Sequence, residues 1–68
     1  MNMQKIGFAL KVMHMVREMS HNSSITITSP KNQRQIMVQR IAGRYYVDML
    51  ECVTIEDASI EVLQLAGY

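Results

Sequence analysis

The stretch Gln35-Ile36-Met37-Val38-Gln39-Arg40-Ile41-Ala42-Gly43-Arg44-Tyr45-Tyr46-Val47-Asp48-Met49 decides the fold of this chain. Folded about a two-residue turn at Ala42-Gly43, it sets Val38 against Val47, Ile36 against Met49 and Arg40 against Tyr45 on one face. Gln39/Tyr46, Met37/Asp48 and Ile41/Arg44 then fall on the other. Side chains alternate across a strand, so this register separates a mostly apolar face from a mostly polar one, as a sheet buried on one side requires. A primed turn needs positive φ at both central residues. Gly43 adopts it freely and Ala42 only at a steric cost, so a longer loop is the alternative.

Upstream, Ser24-Ile25-Thr26-Ile27-Thr28 alternates with period two and is rich in β-branched residues, and Ser29-Pro30-Lys31-Asn32-Gln33 is turn chemistry. Three antiparallel strands follow from these patterns. Further out the period becomes helical. From Gln4 to Ser20 there is no proline, and at 100° per residue Ile6, Phe8, Ala9, Val12, Met13, Met15, Val16 and Met19 share one broad face. Gln4, Gly7, Lys11, His14, Glu18 and His21 occupy the opposite side, Asn2 is a candidate N-cap, and Ser20-His21-Asn22-Ser23 ends the pattern. Beyond the hairpin, Ile55 to Ala66 reads as a second helix with Thr54 as its cap, Glu56 and Asp57 in its electropositive first turn and Gly67 at its end. Ile55, Ala58, Val62 and Leu65 form its buried stripe. The predicted fold is α+β, a single domain over 1–68 in the order α-β-β-β-α, with both helices on one face of a three-stranded antiparallel sheet.

At 68 residues the chain makes one domain, which buries about 60% of the surface its unfolded form exposes. Apolar residues make up 49% and charged ones 19%, the balance of a folded globule rather than a disordered tail. The single cysteine, Cys52, cannot form an internal disulfide, so a reducing compartment, the cytoplasm, is expected. The apolar run Ile6–Leu10 is broken by Lys11, with His14 and Arg17 following, so no signal core or membrane span is expected.

Catalytic and metal chemistry find little to work with. His14, Glu18 and His21, at i, i+4 and i+7, are of zinc-ligand type, but His21 falls at the helix end and no second segment supplies a fourth ligand. They read as a solvated polar face. Cys52 as a nucleophile needs a base beside it, and the only imidazoles are those two, so it reads as a small buried hydrophobe. None of the three glycines sits in a phosphate-cradling motif, and Ser29 and Ser59 have no nucleophile elbow. The expectation is a non-enzyme with no catalytic residues, no cofactor and no metal.

All seven lysines and arginines lie in residues 1–44, giving that part a net charge of +6, whereas five of the six acids lie in residues 48–61. Such a block of one sign prompts a search for an anionic partner. Lys31, Arg34, Arg40 and Arg44 interleave with Tyr45 and Tyr46, the pairing of cations and aromatics by which some sheets hold nucleic acid. In element order and length the whole chain also resembles the double-stranded RNA-binding domain. That family carries a basic cluster at the start of its last helix, where it contacts phosphates. The matching stretch here is Ile55-Glu56-Asp57-Ala58-Ser59, whose acids repel a phosphate backbone. At ~3.3 Å per residue, moreover, Lys31 and Arg34 stand roughly 20 Å from Arg40 and Arg44 along the second strand. Lys5, Lys11 and Arg17 are expected to be neutralised against the acidic second helix. Nucleic acid is therefore the alternative partner.

The preferred partner is protein. The first helix presents an apolar arc near 180° wide with Phe8, Met13, Met15 and Met19, preceded by Met1 and Met3, and methionine adapts its shape to a bound surface. Gln39 and Tyr46, with Gln35, Met37 and Leu50, form a second candidate surface on the open sheet face. Phe8, Met15, Met19, Gln39 and Tyr46 are the expected partner-binding residues. The function expected is that of a small non-catalytic module binding another protein, itself as a homodimer, or both, as a modulator or inhibitor that occludes a surface. Free-standing reading frames this short are common in bacteriophage and mobile-element genomes.

Overall fold

Val38 faces Val47, Gln39 faces Tyr46, Arg40 faces Tyr45 and Ile41 faces Arg44 across the central hairpin, the register read from the alternation. Ala42 and Gly43 form the two-residue turn with φ of 53° and 78°, so the alanine does accept the left-handed conformation. The computed structural model describes residues 3–68 and orders them as α1 (Met3–Arg17), β1 (Ser23–Thr28), β2 (Gln35–Ile41), β3 (Arg44–Val47), β4 (Leu50–Cys52) and α2 (Ile55–Leu65). One antiparallel sheet runs β1-β2-β3-β4. The candidate cap Asn2, and Met1, lie outside the described residues.

The sheet has four strands rather than three, and Asp48 explains the difference. Its backbone N–H donates to Met37 O at 2.8 Å, while Met37 N–H donates back to the carboxylate oxygen Oδ1 at 2.9 Å. A side chain thus takes the place of a ladder carbonyl and closes the β2–β3 pairing one residue beyond Val47. Asp48 and Met49 then turn the chain with φ of 46° and 73°, a second primed turn lacking glycine. Met49 swings away from Ile36, and Leu50 pairs with Val47 instead.

Both helices cover the same side of the sheet, where Ile27, Ile36, Val38, Val47 and Cys52 meet Phe8, Val12, Val16, Ala58, Val62 and Ala66 in one core. α2 sits over β2, β3 and β4, and α1 takes α2 as its principal neighbour. Thr54 caps α2, its Oγ1 accepting Asp57 N–H at 3.0 Å. At the other end Gly67 at φ 91° lets its own N–H reach Gln64 O and Tyr68 N–H reach Leu63 O, which satisfies two carbonyls that the helix leaves open.

The remaining carbonyls of that helix end are taken by the β1–β2 connection. Fully buried Ser29 donates its hydroxyl to Ala66 O at 2.8 Å and accepts Lys31 N–H at 3.1 Å and Asn32 N–H at 3.3 Å. Asn32 Nδ2 donates to Leu65 O at 3.1 Å. Because removing the Ser29 hydroxyl strands the buried Ala66 carbonyl and two part-buried N–H donors, Ser29→Ala is expected to lower unfolding free energy by about 1–3 kcal/mol in urea titration. Met49 is 86% exposed and loses no burial on truncation. Relief of its left-handed backbone makes Met49→Gly expected to raise stability by about 0.5–1 kcal/mol after glycine's extra unfolded-state entropy, read from the same titration.

Candidate functional site

The expected partner-binding residues part company in the structure. Phe8 is 7% exposed and Met19 6%, so both belong to the core and leave the candidate surface. The Phe8 ring packs on Tyr68 with centroids 5.6 Å apart, and the Met19 carbonyl accepts a hydrogen bond from Arg40 Nη1 at 2.8 Å. Met15 is half-buried and borders an open groove of about 410 Å³ between the end of α1 and β1. Gln39 and Tyr46 oppose each other on the open sheet face, both half-buried, near exposed Met37 and Ile41. Leu50 does not join them, because pairing with Val47 puts it on the helix side at the sheet's margin.

Sequence reasoning missed the most coherent apolar surface. Met3 is 73% exposed, Ile6 39% and Leu10 64%, at spacings of three and four along α1, with half-buried Met13 continuing the line. At 100° per residue this stripe points on the order of 140° away from Val12, the centre of the buried side. The signal was the width of the apolar arc, which exceeds what one neighbour helix covers. Leu10 lay just outside the face read from the sequence.

The basic residues are engaged within the molecule. Arg34 pairs with Asp48 at 3.2 Å and Arg44 with Glu51 at 2.7 Å. Arg40 holds the Met19 carbonyl and stacks over the Tyr45 ring at 5.6 Å, and Lys31 Nζ lies 5.1 Å from the Tyr68 ring centroid. Arg34 and Asp48 meet just outside β2 and β3, and Arg44 and Glu51 meet across β3 and β4, so part of the charge asymmetry is neutralised along this meander. Arg40 Nε and Tyr68 Oη are buried without a hydrogen-bond partner among the described residues.

His14, Glu18 and His21 stand exposed along and just beyond α1, and no group of three His, Cys, Asp or Glu among the described residues is placed to hold a metal. Cys52 is buried, its Sγ 3.6 Å from Leu50 O. Burial pushes its thiol pKa up, the carboxylates of Glu61 and Asp57 add to the rise, and a hydrogen bond with the Val47 backbone opposes it. The reactive thiolate is therefore disfavoured.

No family model, curated protein or solved structure matches the chain. The likeness in element order to the double-stranded RNA-binding domain goes no further, since the sheet has four strands and Glu56 and Asp57 fill the first turn of α2. Among the described residues no helix is long and apolar enough to cross a membrane.

Arg40 and Arg44 differ sharply in what they hold. Arg40→Met keeps the stem but leaves the Met19 carbonyl without its charged donor, with an expected loss of about 1–3 kcal/mol in thermal or urea unfolding. Arg44→Ala removes only an exposed ion pair, and its expected effect is under about 1 kcal/mol.

Proposed function

We propose that the protein is a small non-catalytic binding module that occludes part of a larger protein, as a modulator or inhibitor, through the outer face of α1. The observation that supports this is the stripe of Met3, Ile6 and Leu10, set at helical spacing on the side of α1 turned from the core. Anchors at such spacing are how a helix seats in a partner's hydrophobic groove, and the two methionines near the ends, Met3 and Met13, suit an adaptable contact. Buried, unpaired Cys52 fits a reducing, cytoplasmic setting. Nucleic acid is the weaker reading, because Lys31, Arg34, Arg40 and Arg44 each already engage a carboxylate, a carbonyl or a ring.

The test compares immobilised wild-type chain with Ile6→Gln/Leu10→Lys as bait in lysate of the source cells, quantified by mass spectrometry. A specific protein retained by the wild type and lost by at least about tenfold from the double variant is expected. Circular dichroism and urea midpoints should barely differ, since substitutions at exposed helix positions cost about 0.5 kcal/mol or less. Identical retention on both baits would remove α1 as the contact.

A further inference from the structure

The two edges of the sheet are built differently. β4 is three residues long, carries Glu51 and leads within two residues to the α2 cap at Thr54. Shortness and charge both discourage an edge from pairing with another chain. β1 is six residues long, Ser23-Ser24-Ile25-Thr26-Ile27-Thr28, without a charged side chain or proline. Its register against β2 is unbroken from Ser23 opposite Arg40 to Thr28 opposite Gln35, so it has no bulge either.

The direction of its backbone groups follows from the ladder. Ser29 N–H donates to Arg34 O at 2.9 Å, which sets the phase of an antiparallel pair. Ile27 and Ile25, two and four residues earlier, turn their N–H and C=O toward β2. Ser24, Thr26 and Thr28 therefore turn theirs outward, three donors and three acceptors along an edge where all three residues are exposed.

We propose that β1 pairs antiparallel with β1 of a second copy about a two-fold axis through Thr26, joining two four-stranded sheets into one. In that register Thr26 faces Thr26 of the second copy, Ser24 faces Thr28, and all outward groups of both strands find partners. Ile25 faces Ile27 on the helix side, at the non-hydrogen-bonded positions where side chains approach most closely. Slipping the register by one residue sets isoleucine against threonine and loses this match. Slipping it by two sets Ser24 against Pro30, which has no N–H, or Thr28 against Asn22, which lies in the turn at φ 55°.

A second copy fits the edge better than a foreign strand does. The strand carries no charge that would repel its own image, and its sequence matches itself about Thr26, isoleucine to isoleucine and hydroxyl to hydroxyl. Glu18 borders the groove beside Ser24 and Ile25 and Lys31 follows Thr28, so the two-fold brings a carboxylate of each copy toward an ammonium of the other, with Arg40 opposite Ser23 nearby. The groove, bordered also by His14 and Met15, leaves room there for the second copy's β1–β2 connection. None of this rests on the reading of α1.

Sedimentation equilibrium across a concentration series, with residue-resolved amide exchange, tests the proposal. The expected result is a mass that rises from 7.8 kDa toward twice that value, with the N–H groups of Ser24, Thr26 and Thr28 becoming slow to exchange as the dimer forms. Thr26→Lys and Thr26→Glu each set like charges face to face at the axis, and each is expected to weaken the dimer by roughly tenfold or more. Mixing the two variants restores a dimer, a rescue that misfolding cannot imitate. A chain that stays monomeric up to about 1 mM, where association is worth only ~4 kcal/mol, overturns the proposal and leaves the edge to a strand from another protein. A dimer indifferent to both substitutions overturns it as well.

Discussion

The arrangement of this molecule follows from one constraint: two helices share a single face of a narrow sheet, and the shorter one holds the middle. α2 covers β2, β3 and β4 and buries Ala58 and Val62 completely. Its small side chains let it lie close to the valines and isoleucine beneath, Val38, Val47 and Ile36. α1 can then reach the core only by leaning on α2, which it does with Phe8, Val12 and Val16. Among the described residues of its apolar arc, Met3, Ile6 and Leu10 are left exposed. Exposure of Met3, Ile6 and Leu10 is thus a consequence of where α2 sits, and α2 is held there by polar bonds at its end. Ser29 and Asn32 bind the carbonyls of Ala66 and Leu65, and Tyr68 folds back between Phe8 and Lys31.

Patterns that depend on periodicity were legible in the sequence. Alternation set the partners of Val38, Gln39, Arg40 and Ile41 correctly, and the cap and first turn of α2 stand where Thr54, Glu56 and Asp57 placed them. What periodicity does not encode is a side chain replacing a backbone group. Asp48 looks like an ordinary polar residue in a strand, yet its carboxylate completes the ladder at Met37, and that substitution creates β4. Ser29 looks like turn chemistry, yet its hydroxyl is buried and joins segments 37 positions apart. No local pattern foretells such a long-range bond.

The same limit explains the basic residues. In sequence they form one positive half, with the acids of residues 48–61 far along the chain. The β2–β3–β4 meander folds the acids back, bringing Asp48 to Arg34 and Glu51 to Arg44. Strand pairing therefore decides the electrostatics, and exposed pairs of this kind add little stability but cancel local field. The candidate site was legible only in outline. An arc too wide for its neighbour could be seen, but which residues would be surplus depended on the direction from which α2 approaches.

A small apolar-rich chain exposes hydrophobic residues in any case, because its surface is large relative to its volume. Met37, Ile41, Met49, Leu50, Val53 and Ile60 come from five different elements and turns and define no helical or strand-wise line. Met3, Ile6 and Leu10 share one, which is why the proposed contact is placed on α1 rather than among the scattered residues. The β1 edge is the opposite kind of surface, poor in exposed apolar area and rich in aligned backbone groups. Contacts of the first kind strengthen with apolar area and carry a heat-capacity change. Contacts of the second kind depend on geometry, each bond being worth about 1 kcal/mol net. Leu10 stands on α1 and Thr26 on the edge of β1, so the two proposed contacts share no residue and each can be tested with the other left intact.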